Sequence, residues 1–264
     1  MIPIPKPQNP NSLADQFINF VEVVKILRSQ CPWDKAQTKE SIAHLMIEEV
    51  YEAVDAIEKN DNDDLSKELG DLLLHIVMHS IIAEETQSFS MMDVLKKIQD
   101  KMIKRHPHVF SDVQVDGQEE VLRNWEEIKM NEGQESALQG VPIALPALIR
   151  AERIQHKASR VGFDWERPED MWVKVEEEFS EFKNELKNGT DQRKFDEFGD
   201  FLFSLVNAAR FENIVPEMAL QKTNNKFTKR FQYIEKRAME SGKSLKDMTL
   251  AEMDVFWDEA KLLE

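Results

Sequence analysis

The stretch IAHLMIEEVYEAVDAIEKNDNDDLSKELGDLLLHI, residues 42–76, decides how this chain is read. Ile42, Leu45, Met46, Val50, Ala53 and Ile57 recur at helical spacing, and Leu65, Leu69, Leu72, Leu73 and Ile76 do so again after the polar break Asn60–Asp63. Two amphipathic helices joined by so short a break pair antiparallel. Acids stand on them where a core would be expected, because Leu45, Glu49, Glu52 and Ala56 follow one another at spacings of 4, 3 and 4 residues. Residues three apart on a helix are neighbours, so Glu49 adjoins Glu52 and Glu68 adjoins Asp71.

The arrangement occurs twice. Residues 172–206, WVKVEEEFSEFKNELKNGTDQRKFDEFGDFLFSLV, carry Glu177-Glu178-x-x-Glu181 and Glu197-x-x-Asp200, against Glu48-Glu49-x-x-Glu52 and Glu68-x-x-Asp71. In both copies the first acid of the second cluster stands 16 positions after the last acid of the first. Gly70 and Gly199 each precede the aspartate. A glycine inside a helix costs about 1 kcal/mol relative to alanine, and its recurrence at one place predicts a close helix approach beside the acids.

Converging carboxylates need relief. Two unit charges about 5 Å apart repel by roughly 3 kcal/mol at an effective dielectric of about 20. Protons or cations must offset this, and hard divalent ions suit an all-oxygen donor set, Mg²⁺ first with Mn²⁺ as a substitute. The candidate metal ligands are Glu178, Glu181, Glu197 and Asp200, with Glu49, Glu52, Glu68 and Asp71 in the first copy. A di-iron carboxylate bundle takes its histidines from Glu-x-x-His, a spacing absent from this sequence.

Outward from the acid hairpins the pattern stays helical. Leu13, Phe17, Val21, Val24 and Leu27 mark one helix, and another runs from Met91 to about Arg105. Periodicity breaks at Asn131–Gly140 and the prolines Pro142 and Pro146, a linker signature. The plan then repeats, with a helix from Pro146 to about Arg160, the turn Gly162-Phe163-Asp164-Trp165 matching Pro32-Trp33-Asp34, and the second acid hairpin. The expected fold is all-α, two tandem copies of a four-helix bundle. Residues 1–12, rich in proline, form a disordered lead-in. Residues 13–130 form the first domain, 131–145 the linker, and 146–264 the second domain.

The net charge of −16 over 264 residues argues against nucleic-acid binding through counterion release. The acidity is spread along the chain, since residues 1–130 carry about −10 and the rest about −6. The single cysteine, Cys31, excludes an intrachain disulfide and fits a reducing cytoplasm. No apolar run is long enough for a membrane span. Cations and aromatics also recur in order: Lys101 and Arg105 then Trp125 and Lys129, and Lys226 and Arg230 then Trp257 and Lys261. Such cations grip phosphates, and a tryptophan face stacks on a base. His106-Pro107-His108, with no third ligand nearby, is a helix end rather than a metal site.

The paired acid clusters, Cys31-Pro32-Trp33-Asp34, Arg105-His106-Pro107-His108-Val109-Phe110 and Gly162-Phe163-Asp164-Trp165 together resemble the MazG family, the tandem nucleoside triphosphate pyrophosphohydrolases of bacteria, over about residues 13–264. The resemblance implies a Mg²⁺-dependent, all-α homodimer that cleaves nucleoside triphosphates, ribo- and deoxyribo-, to monophosphate and pyrophosphate. Metal-activated water would attack the α-phosphorus. By motif match, the eight acids named above hold metal, Lys226 and Arg230 hold phosphates, and Trp257 and Lys261 close over the nucleotide. Lys101, Arg105, Trp125 and Lys129 correspond in the first copy. Glu177 or Glu178 orients the water. The family is described as using its C-terminal copy. In support, Asn207 and Arg210 follow Asp200 where the first copy has Met78 and Ile81. Two alternatives stay open: a house-cleaning hydrolase selective for a modified nucleotide, and a non-catalytic acidic helical protein that binds metal or partners. No Gly-rich phosphate loop or nucleophile motif supports a P-loop or covalent route.

Overall fold

The structure, a computed structural model, describes residues 2–131 and 136–263. It is all-α, with no strand among the described residues. Residues 132–135 of the expected linker lie outside the described residues. The chain divides into two compact units, Met1–Val115 and Asp116–Glu264.

In the first unit, α1 (Leu13–Gln30) and the short α2 (Pro32–Ala36) lead to the acid hairpin, α3 (Ala43–Lys59) and α4 (Asn62–Glu85). The break between the hairpin helices narrows to two residues. Asn60 takes the left-handed conformation, φ 55°, to end α3, and the Asp61 carboxylate accepts from the N–H groups of Asp63 and Asp64 to start α4. Both devices are local, so the hairpin is written into its own sequence. α5 (Met91–Arg105), opened by a Ser90/Asp93 capping box, and α6 (Pro107–Phe110) complete the unit. The core joins Val24 of α1 and Ile42 to Val77, Met78, Ile81 and Ile82 of α4, with Phe17, Val21 and Leu45 packed against them. Leu13, expected on the apolar stripe, is exposed. It sits in the first turn, where Ser12 caps the helix and the Asn9 N–H donates to Asp15.

In the second unit, α7 (Gln118–Asn131) precedes α8 (Ala147–Ser159), the acid hairpin α9 (Pro168–Asn188) and α10 (Asp191–Phe211), then α11 (Pro216–Glu240) and α12 (Leu250–Lys261). The hairpin turn is again two residues, Gly189 and Thr190, with Thr190 capping α10. Met171, Val175 and Ala208 form the core between α9 and α10, flanked by Phe201 and Phe211. After α8 the chain reverses at Gly162, whose φ of 89° favours a residue without Cβ. The Phe163 N–H donates back to the Ala158 carbonyl across that turn.

Much of the apolar stripe on both hairpins is not core. Val50, Leu69, Leu73 and Ile76 in the first unit, and Phe195, Phe198, Leu202 and Leu205 in the second, are exposed within the chain.

Candidate functional site

Each hairpin brings three of its four predicted metal ligands together. Carboxylate oxygens of Glu49, Glu68 and Asp71 lie within 4.8 Å of one another, and so do those of Glu178, Glu197 and Asp200. The fourth acid stands beside the cluster: Glu52 against Glu68, and Glu181 against Glu197. Burial, then neighbouring acids, raises the protonation point of Glu49, chiefly through Asp71, and that of Glu197, chiefly through Glu181. Glu68 is raised in the same way, with Glu52 its nearest acid. Carboxylates gathered this closely repel one another, and a bound cation would offset that repulsion. The oxygen-only set fits a hard divalent ion.

The two sites differ around this shared kernel. In the first, His75 is buried and its Nε2 lies 3.8 Å from Glu49 Oε1, with the His79 ring 6.4 Å away. In the second, Ser204 holds the place of His75, and Lys174 replaces Leu45. Lys174 Nζ lies 2.7 Å from Glu178 and 3.0 Å from Glu177, and hydrogen bonds to both hold its ammonium well above the usual lysine range. This pairing was legible, since Lys174 and Glu178 are at i,i+4, but the sequence reading passed over it.

The second site also has a cavity of about 600 Å³ between α8, α9 and α10. Glu178 and Asp200 stand in its wall with Lys174, Asn207 and Arg210, while Ile154, Ala158, Met171 and Phe203 make it apolar. Phe163, Asp164 and Trp165 border it from the Gly162 turn. That turn is fixed by an ion pair. Arg210 Nη1 donates to Asp164 Oδ2 at 2.9 Å and Nη2 donates to the other carboxylate oxygen, while Nε donates to Asn207 Oδ1 at 2.9 Å. Asn207 and Arg210, singled out from sequence as polar groups beyond the metal, thus shape the cavity wall.

The other predicted residues are placed elsewhere. Arg230 lies over the Trp257 ring, 5.3 Å from its centroid, and Phe227 packs on the same ring at 5.2 Å. Lys261 pairs with Asp258 at 2.8 Å, and Lys226 is exposed. None of these four borders the cavity. Glu177 is half exposed and also outside its wall. Trp125 and Lys129 stack on each other on α7, ammonium to ring centroid 4.6 Å, and α7 belongs to the second compact unit. Lys101 is exposed and Arg105 half-buried on α5. His106 Nδ1 bonds the Met102 carbonyl at 2.6 Å, consistent with a helix end.

The glycine expectation needs correcting. A Cβ on Gly70 or Gly199 would meet nothing within 4 Å, so no helix among the described residues closely approaches either one. Both face open space beside exposed apolar side chains.

A sequence model of the MazG nucleotide pyrophosphohydrolase domain matches residues 37–110, which span the first acid hairpin. The chain is 47% identical over 267 residues to uncharacterized protein YabN of Bacillus subtilis, covering 99% of this chain but 55% of that relative. It is 41% identical to the nucleoside triphosphate pyrophosphohydrolase/pyrophosphatase MazG of Thermotoga maritima, over 93% of this chain and 95% of that protein. With the nucleoside triphosphate pyrophosphohydrolase of Escherichia coli K12 the identity is 40%, over 95% and 97%. A crystal structure of a mazG-related protein from Thermotoga maritima aligns at 24% identity and a TM-score of 0.39, over 43% of this chain and 98% of its own, too loosely to bear on the fold. The full-length matches join the duplicated acid hairpin to one lineage: the chain belongs to the MazG family of nucleotide pyrophosphohydrolases.

Proposed function

We propose that this chain hydrolyses ribo- and deoxyribonucleoside triphosphates to monophosphate and pyrophosphate at the second acid hairpin, with Mg²⁺ or Mn²⁺, as a homodimer in the cytoplasm. The observation that carries the reading is the carboxylate cluster Glu178–Glu197–Asp200, of which Glu178 and Asp200 stand in the wall of an apolar cavity large enough for a nucleoside. A divalent ion held by those three, with Glu181 beside them, would neutralise the triphosphate and acidify a bound water. The sequence left the water-orienting role open between Glu177 and Glu178. Glu178 borders the cavity and Glu177 does not, which favours Glu178 for that role. Lys174 Nζ, 2.7 Å from Glu178, fixes the direction of that carboxylate. The cavity's apolar wall excludes water from the base, and Asn207 and Arg210 keep that wall in place.

Lys226, Arg230, Trp257 and Lys261 serve this site from a second copy. The exposed stripe Phe195, Phe198 and Leu202, with Gly199 open beside it, gives a partner helix room to lie close. The first hairpin keeps its acids but has Leu45, Met78 and Ile81 where the second has Lys174, Asn207 and Arg210, and its role is metal binding without the nucleoside wall. No helix among the described residues is long and apolar enough to cross a membrane.

The test is pyrophosphate release from a panel of triphosphates with Mg²⁺, for wild type, Glu49→Ala and Glu178→Ala. Release lost with Glu178→Ala and retained with Glu49→Ala is expected. Mixing Glu178→Ala with Trp257→Ala subunits should restore part of the activity if the site is shared between copies. No release from any triphosphate would refute the reading and leave a metal-binding helical protein. Release confined to one modified nucleotide would favour a house-cleaning specialist.

A further inference from the structure

We infer that Gln155 reads the nucleobase, its side-chain oxygen accepting a hydrogen bond from an exocyclic amino group. The inference rests on the hydrolase reading above. Gln155 borders the cavity from α8 and is 7% exposed. Its Nε2 donates to the Phe203 carbonyl on α10 at 2.8 Å, which fixes the orientation of the amide. The opposite atom, Oε1, is sealed from water and has no hydrogen-bond partner. A buried acceptor left unpaired is costly, and Gln155 lines the cavity alongside the apolar Ile154, Ala158 and Phe203. In the first unit the matching helix α1 instead buries Val24 against α4.

The chemistry of the missing partner follows from the unmet oxygen. One Nε2 N–H of Gln155 is given to the Phe203 carbonyl, which orients the amide, whereas neither lone pair of Oε1 is used, so the unmet demand is for a hydrogen-bond donor. An amino group, on adenine, guanine or cytosine, projects beyond the ring and meets such an acceptor cleanly. The ring N–H of uracil or hypoxanthine is flanked by carbonyl oxygen, whose lone pairs would be brought up against those of Oε1. Glu178 and Asp200 enter the wall from α9 and α10 and Gln155 from α8, so a nucleoside triphosphate held by its phosphates at the carboxylates would direct its base toward α8. Because Oε1 is capped, the amino group reaches it by displacing a wall side chain. Binding then satisfies an atom that is orphaned in the free protein.

The test compares kcat/KM for pyrophosphate release across matched triphosphates: ATP against purine riboside triphosphate, GTP against inosine triphosphate, and CTP against UTP. Wild type should lose about tenfold or more in at least one pair when the amino group is removed. Gln155→Met, similar in length but without an acceptor, should fall on the amino-bearing substrate of that pair to the level of its partner, erasing the difference. A merely structural role would lower both substrates of a pair alike and leave the ratio intact. Preserved discrimination in Gln155→Met, or none in wild type, overturns the inference while hydrolysis itself stands. The wild-type comparison needs no variant, so a poorly folding Gln155→Met does not shield the claim. Absence of hydrolysis with every triphosphate overturns the hydrolase reading, and this inference with it.

Discussion

Removing Asp164 should cost more than removing the arginine it holds. The Arg210 side chain is 10% exposed and the Asp164 side chain 28%. Asp164→Ala leaves a guanidinium nine-tenths buried, with the Asn207 oxygen at 2.9 Å and the Phe211 ring 4.6 Å away as its remaining partners. Breaking a buried pair from one side costs about 3–5 kcal/mol. Partial exposure of Asp164 lets water replace some of the lost contact, which brings the expectation to about 2–3 kcal/mol. Arg210→Met removes the buried charge and keeps most of the stem volume, while the more exposed Asp164 rehydrates, so about 1 kcal/mol is expected. The double variant should cost little more than Arg210→Met alone, because no charge is then stranded. Urea unfolding of the metal-free protein followed by circular dichroism gives all three values. Arg210→Met proving as destabilising as Asp164→Ala, or the two losses adding in the double variant, would refute the reasoning. The same asymmetry should appear in KM for the nucleotide, since the pair fixes the turn that presents Phe163 and Trp165 to the cavity.

Three further outcomes follow from the second unit. Lys174→Leu, which installs the residue of the first copy, frees Glu178 from its ammonium. Divalent-ion binding by calorimetry should then tighten about fivefold, a discounted 1 kcal/mol for a lysine 38% exposed, and unchanged or weaker binding would count against Lys174 as the resident counterion. Thr249→Ala should cost about 1 kcal/mol by removing the α12 capping box. The Glu252 carboxylate in that box is held down to about 2 by Lys243 and then by the Thr249 backbone and hydroxyl. A depressed acid contributes stability that is fully present above its unfolded value, near 4.5, and is lost as pH falls through about 2. Acid titration of wild type and Glu252→Gln should therefore converge toward pH 2, and parallel curves down to that pH would contradict the assignment.

What was readable from the sequence was whatever depends on neighbours along the chain. The 3-and-4 spacing placed Glu49 by Glu52 and Glu178 by Glu181, and Asn60-Asp61 and Gly189-Thr190 set the turns that fold each hairpin back on itself. Those local rules fix the all-α fold and the two acid clusters. Gln155 left a fainter trace, a polar residue in the stripe Leu148, Ala151, Gln155 and Ala158, which helical spacing alone reads as an interrupted core. Its orphaned oxygen arises only because α10 brings the Phe203 carbonyl, 48 residues away, against its nitrogen. Repeat order likewise suggested that Trp257, Arg230 and Lys261 attend the acids, yet within one chain α11 and α12 pack on each other and Trp257 lies under Arg230. Gly70 and Gly199 recur in register in the sequence, but the tertiary structure shows open space at both. Periodicity fixes which face of a helix a residue occupies, whereas what that face meets depends on long-range packing that no local spacing encodes.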